Sequence, residues 1–326
     1  MSMAQKPKLI VVIPCLAEEG IWDTIKSLLE NRGYGCQVEC ILVANHAESG
    51  TDQLKLVNRE LARHLFRRRA NLDTDQLKFE VIEAFDLLDK KAGVGMARKI
   101  GMDLSILKFE KAGMLKDGVI VCLDGDCTVA ENYLAEIENY FERNNANGCS
   151  IHFEHPLDGD NARAIIDYEL YLRYYINALR WSGFPYAFQT VGSSMAVAAT
   201  AYVKQGGMNT RKAGEDFYFL NKIVQLERFG DLTSTLVYPS SRKSERVPFG
   251  TGREMMEWEK AKQLLAYHPD MFIELKKVFQ TVDLLKNCDD AISLLKENQI
   301  HNAFISYFEH QKFNDAVTEA QAHTAS

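Results

Sequence analysis

Between residues 9 and 153 the chain alternates short apolar runs with amphipathic stretches of helical period, and this alternation restricts the fold more than any other feature. The runs are Leu9–Ile13, Val38–Ala44, Leu77–Ala84, Val119–Leu123 and Cys149–Phe153, each of strand length. Between them, Ile21, Ile25, Leu28 and Leu29 share one helical face, which Gly33 would end. Leu54, Val57, Leu61 and Leu65 give a second face, and Met96, Ile100, Leu104 and Leu107 a third. Apolar strands separated by helices imply an α/β fold with a mostly parallel sheet covered on both faces. In such sheets ligands bind beyond the carboxyl ends of the strands, so the residues just after each strand are where chemistry is expected.

From Glu254 onward the texture is helical, with breaks near Pro269 and Asn287, and Ala316–Ser326 reads as a frayed end. The expected organisation is an α/β domain over residues 1–250, with halves at about 1–127 and 128–250, and a helical extension over 251–326. Lys and Arg number 38 against 45 Asp and Glu, a net charge of −7. That balance lacks the basic footprint of a nucleic-acid binder. The seven cysteines contain no CxxC pair, which argues against a zinc knuckle or a disulfide framework and for a reducing, cytoplasmic setting. No apolar run approaches the length of a membrane span. Leu9–Ala17, behind Lys6 and Lys8, superficially resembles a secretion signal with a lipoprotein cysteine at Cys15. Pro14 stands where such a cleavage site needs a small residue, and the segment reads as the first strand.

Three acidic or basic clusters carry the chemistry. Val119–Leu123 runs into Asp124-Gly125-Asp126, a compact anionic corner suited to a hard divalent cation such as Mn²⁺ or Mg²⁺. Such a cation can bridge a diphosphate and stabilise a departing nucleotide, although a turn capping the next helix has the same appearance. Gly214-Glu215-Asp216 opens a helix. The carboxylate pair reads either as a helix cap or as a general base that deprotonates a hydroxyl. Ser240–Arg253 sets Arg242, Lys243, Arg246 and Arg253 among glycines and hydroxyls, a loop able to close over phosphates or to lie solvated at the surface. Gly93-Val94-Gly95-Met96-Ala97-Arg98 lacks the last glycine of the dinucleotide fingerprint.

Taken in order, these segments resemble glycosyltransferase family 2 over about residues 8–250. Ile13–Glu19 resembles the Pro-x-Tyr-Asn-Glu-type motif that follows that family's first strand, and Gly95–Gly101 its Ala-Arg-Asn-x-Gly segment. Asp124-Gly125-Asp126 falls where its DxD motif belongs, and Gly192–Val197, Gly206–Met208 and Gly214–Asp216 match its downstream block. The resemblance implies a GT-A fold, Rossmann-like with helices on both faces of the sheet, and a metal-dependent, inverting, non-processive transfer from a nucleoside-diphosphate sugar. The acceptor would be a hydroxyl of a glycan, lipid or small molecule. By the same resemblance Pro14, Glu18 and Asn45 hold the nucleoside. Arg98 and Asp124 take the ribose–diphosphate region, Asp126 with Asp124 the metal, and Arg242 and Arg246 the diphosphate. Asp216 is then the catalytic base, with Glu215 as its alternative. Two departures stand out. Leu16-Ala17 replaces the usual Tyr-Asn, and Asn45-His46 stands where the family's second strand normally ends in Asp-Asp or Asp-Asn, which leaves the donor base open. The Gln-x-x-Arg-Trp motif of processive members has only a misplaced echo, Asn177–Trp181, which precedes Glu215 and reads as helix surface.

Other readings use the same residues. Asp124–Val129 also fits the first motif of haloacid-dehalogenase-type phosphatases, with Asp124 as nucleophile. That fold begins with the motif, whereas here about 120 residues precede it. A sugar-nucleotide nucleotidyltransferase would want a glycine-rich basic loop where CLAEEG is acidic, and a non-catalytic binding protein would have no need of both carboxylate pairs. His152 and Glu154 share a strand face, open to a metal or acceptor contact or a plain surface pair. The aromatic series from Tyr168 to Phe188 reads as helix packing ahead of a sugar-stacking wall, and Trp22 as core.

Overall fold

The computed structural model describes residues 6–157, 159, 161–211, 214–242, 251–261 and 263–324. They form two compact units, Met1–Ile166 with Phe188–Lys262 and Asp167–Ala187 with Gln263–Ser326. In chain order the first elements are β1 (Pro7–Cys15), α1 (Ile21–Leu29), β2 (Gln37–Ala47), α2 (Asp52–Leu72), β3 (Leu77–Leu87) and α3 (Val94–Ala112). Then come β4 (Val119–Cys122), β5 (Thr128–Val129), α4 (Tyr133–Asn144), β6 (Gly148–Phe153) and α5 (Ala162–Ser182), which leads into the second unit. The chain returns to the first unit through β7 (Met195–Ala198), α6 (Ala199–Lys204), α7 (Glu215–Val224), β8 (Phe229–Tyr238) and α8 (Thr251–Ala261).

The strands make one mixed sheet in the order β3-β2-β1-β4-β7-β6-β8-β5. The first four are mutually parallel, as the apolar runs imply. Beyond β4 the sheet turns mixed, with β7 antiparallel to both β4 and β6, β8 parallel to β6, and β5 antiparallel to β8. β5, β7 and β8 escape the hydrophobic pattern for a physical reason. β5 and β7 are very short, and β8 is a partly exposed strand in which Leu232, Thr235 and Val237 are buried while Asp231, Thr233 and Ser234 are exposed.

β1 lies at the centre of the parallel half, and Leu9 to Ile13 are fully buried. Helix α3 approaches it through small residues: a Cβ on Gly101 would stand 2.4 Å from Val12 Cγ1. Ala97, Gly101, Met102, Ser105 and Phe109 therefore face inward, while Leu107 of the expected face is 62% exposed. Helix α2 departs from its expected face in the same way. Asn58, Ala62 and Leu65 are buried, and Val57 is exposed. Trp22, expected in the core, is half-buried beneath the Arg68 guanidinium, 5.2 Å from the ring centre.

The second unit is helical. It joins the later part of α5 to α9 (Pro269–Gln280), α10 (Val282–Leu285), α11 (Ala291–Glu297), α12 (Asn302–His310) and α13 (Phe313–Thr324). Val278, Ile292, Leu295, Ile300 and Ile305 form its core, with Phe304, Phe308 and Phe313 packed against them. Tyr175 packs on Tyr267 and Phe272, as expected of the aromatic series, and Trp181 lies exposed with Lys276 Nζ 4.0 Å from its ring centre. The terminal segment that reads as frayed is instead helical in α13 as far as Thr324. Gln321 Nε2 ties it down by donating to Leu285 O at 2.6 Å and to Cys288 O at 2.9 Å. All seven cysteines are free. Cys15, Cys40, Cys122, Cys127 and Cys149 are buried, and Cys36 and Cys288 are partly exposed. Among the described residues no helix is long and apolar enough to cross a membrane.

Candidate active site

β2, β1 and β4 are parallel neighbours, so their carboxyl ends open on the same edge of the sheet. Pro14 and Glu18 come from the end of β1 and its loop, Asn45 from the end of β2, and Asp124 and Asp126 from the turn after β4. The loop after β1 packs directly on that turn. A Cβ on Gly125 would meet Glu18 Cγ at 3.1 Å and Pro14 O at 3.2 Å.

Arg98 is the hub of one half of the site. Its side chain is 3% exposed, Nη2 lies 2.5 Å from Asp124 Oδ1, and Nη1 donates to Glu215. Burial opposes its charge, but Asp124 and Glu215 outweigh that and hold its pKa above the ordinary arginine value. Gly192 makes room for the guanidinium, since a Cβ there would stand 2.4 Å from Nη1.

The acidic pair at the start of α7 divides into two environments. Glu215 is 2% exposed and is engaged by Arg98. Burial pushes its carboxyl up, and Arg98 opposes the shift. Asp216 is partly exposed, with Oδ1 accepting from Phe217 N at 2.8 Å, which suits a carboxylate in the first turn of a helix. Burial raises its pKa too, against the pull of Arg98. Of the two, Asp216 has a face toward solvent.

Arg242, just past β8, joins the other half. Its Nη1 lies 2.7 Å from Glu18 Oε1, and Nη2 lies 2.8 Å from both Glu18 Oε2 and Asp126 Oδ2. One guanidinium thus bridges carboxylates from the β1 loop and the β4 turn, a fork-to-carboxylate geometry of the strong kind. Burial and the nearby Asp124 nevertheless push the Asp126 carboxyl up to about 6, with Arg242 pulling the other way. Arg246 lies outside the described residues.

No group of three or more His, Cys, Asp or Glu side chains among the described residues is arranged to hold a metal. The donors present suit a different arrangement. A small hard cation is commonly held by one or two carboxylates together with the substrate's phosphates, and Asp126 shares the turn after β4 with Asp124, whose negative charge adds to burial in raising the Asp126 pKa. The residues therefore fit a cation shared with a diphosphate and do not form a cage of their own.

At the end of β2, Asn45 is 4% exposed and its backbone carbonyl accepts from Asn58 Nδ2 at 3.0 Å. His46 stacks on Phe85 at 4.7 Å between ring centres, and its buried Nε2 has no partner among the described residues. Asn58 is absent from the motif reading, and His46 enters it only as part of the departure at the end of β2. Asn58 was detectable as a polar residue that shares a helical face with Ala62 and Leu65. His152 and Glu154 pair with each other at 3.1 Å on the strand surface, and His155 bonds Thr251 Oγ1 at 3.1 Å.

No family model matches the sequence, and no curated protein matches it either. Among solved structures the chain is similar to TarS of S. aureus, a GT-A-type family 2 glycosyltransferase. The likeness to its residues 1–349 in complex with UDP-GlcNAc has a TM-score of 0.50 and 13% identity, over 84% of this chain and 72% of that one. The corresponding complex with UDP gives 0.48 and 13%, over 84% and 71%. The chain accordingly has the GT-A fold, with a helical C-terminal part.

Proposed function

We propose that this chain is a glycosyltransferase that moves a sugar from a nucleoside-diphosphate donor to a hydroxyl acceptor. The observation that carries the reading is the convergence, at one edge of a GT-A sheet, of Asp124, Arg98, Glu215 and Asp216 with Glu18, Asp126 and Arg242. The fold match includes a protein solved with UDP-GlcNAc, which supports a sugar nucleotide as the donor class.

In this reading Pro14, Glu18 and Asn45 border the nucleoside, and Arg98 fixes Asp124 toward the ribose and diphosphate. Asp126, helped by Asp124, would hold Mn²⁺ or Mg²⁺, and a bound cation would supply charge neutralisation to the departing diphosphate. Arg242, with Arg246, neutralises the same group from the loop. The acceptor oxygen attacks the anomeric carbon in line as the bond to the diphosphate breaks, its proton passing to Asp216, so the anomeric centre inverts. Glu215, enclosed against Arg98, serves to orient that guanidinium. The phosphatase alternative needs Asp124 as a free nucleophile, and here Arg98 engages its Oδ1.

The test is incubation with a panel of UDP, GDP and dTDP sugars, with Mn²⁺ or Mg²⁺, and a set of hydroxyl acceptors. Acceptor-stimulated release of nucleoside diphosphate supports the proposal. Release of inorganic phosphate alone from phosphate esters overturns it in favour of the phosphatase.

A further inference from the structure

Asn58 sits in the second turn of α2 and is fully buried, on a face it shares with Ala62 and Leu65. A primary amide is an expensive group to bury unless both of its ends are bonded. Both are. Nδ2 donates to Asn45 O at 3.0 Å, and Oδ1 accepts from Ala17 N at 2.8 Å. The two partners lie 13 and 41 residues away in sequence and belong to different strand ends. Asn45 is at the end of β2, where the pairing with β3 loses its regular register. Ala17 is in the loop between β1 and α1, next to Glu18.

Ala17 has φ of 46°, in the left-handed region that an alanine enters reluctantly. Something must hold it there, and the bond from its own N–H to Asn58 is suited to do so. That conformation sets where the following residue, Glu18, leaves the loop and so where it meets Arg242.

We infer that Asn58 is a positioning residue for the nucleoside end of the donor site. It fixes the β1 loop against the end of β2 and so sets the spacing of Glu18 and Asn45. Its burial keeps it from touching the donor, and it acts through Ala17 and Asn45. The inference rests on the donor-binding reading given above. The role needs one donor and one acceptor a fixed distance apart, which an amide supplies and Asp, Ser or Leu does not.

The experiment measures binding of UDP and GDP by calorimetry, and amide hydrogen exchange of the β1 loop, on the full chain. Asn58→Ala is expected to weaken the preferred nucleotide about tenfold and to speed exchange of the Ala17 amide. Glycine occupies the left-handed region freely, so Ala17→Gly in the Asn58→Ala background is expected to restore most of the nucleotide affinity while exchange of the amide at position 17 stays fast. A merely structural Asn58 would not be rescued at position 17. Ala17→Val leaves α2 untouched and strains the loop from the other side. It is expected to weaken the nucleotide as well, and it decides the matter if Asn58→Ala does not fold. Wild-type affinity in Asn58→Ala, failure of the glycine to rescue it, or wild-type affinity in Ala17→Val overturns the inference. A wild-type chain that binds neither nucleotide overturns the donor reading itself, and the inference falls with it.

Discussion

Arg242 Nη2 stands 2.8 Å from Asp126 Oδ2 while the same guanidinium grips both oxygens of Glu18, so a positive charge from the loop after β8 already occupies the acidic corner. A divalent cation arriving at Asp126 must share that carboxylate with Arg242 or displace it. Arg242→Gln is therefore expected to tighten Mn²⁺ binding to the nucleotide-free protein, measured by electron paramagnetic resonance titration. Hydrogen bonds to charged groups are worth about 1.5–3 kcal/mol, which sets the gain at about tenfold or more. The same variant should bind UDP or GDP more weakly while leaving the free nucleoside unaffected. Unchanged Mn²⁺ affinity would show that the guanidinium does not compete.

Asp216 and Glu215 are expected to fail in different ways. Asp216→Asn keeps shape and hydrogen bonding but removes the base, so turnover should drop by about 10²-fold or more with nucleotide binding intact. Glu215→Gln leaves the buried Arg98 short of one counter-charge, and breaking such a pair costs about 3–5 kcal/mol. Asp124 still neutralises Arg98, so the lower end applies, read as an earlier thermal unfolding transition. A stable Glu215→Gln without activity, beside an active Asp216→Asn, would exchange the two roles.

The pH–rate profile follows from Asp216. Burial raises its pKa, and the base works only when unprotonated. Activity should therefore fall on acidification with a midpoint above the ordinary aspartate value of about 3.9. An acid limb of kcat/KM at or below that value would place the base elsewhere.

Asp126 predicts a trade between stability and chemistry. Its folded pKa, about 6, lies above that of an unfolded aspartate, so the folded chain favours the protonated acid. The contribution to stability is then intact below about pH 4 and is lost as pH rises through about 6. Asp126→Asn is expected to stabilise the metal-free protein by about 1–3 kcal/mol at pH 8 and to leave it unchanged at pH 4. Calorimetric melts at the two pH values check this, and a variant less stable at pH 8 contradicts it.

How much of this was visible in the sequence differs from element to element. The strands were legible: β1, β2, β4 and β6 appear where apolar runs lie, because strands largely buried on both faces are apolar along most of their length, whereas β3, at the sheet edge, is buried only at alternate residues such as Leu77, Phe79 and Val81. The inner faces of α2 and α3 were not. Close packing on the sheet selects small residues such as Gly101 and Ala62, and a hydrophobicity pattern passes over them. The positions of Asp124, Asp126, Glu215 and Asp216 could be anticipated from their places after a strand and at a helix start. The burial of Arg98 could not. Its partners lie 26 and 117 residues away, and an isolated arginine in a helix reads as surface until the fold closes over it.

The distribution of thiols has a consequence for measurement. Five of the seven sulfhydryls are sealed in the interior, and the two partly exposed ones fall one to each unit, Cys36 in the first and Cys288 in the second. The native chain thus carries its own pair of attachment points for spin labels, with no engineered residue needed. Dipolar spectroscopy on the doubly labelled wild type would read the separation of the two units directly. A titration with sugar nucleotide would then report whether that separation responds to the donor.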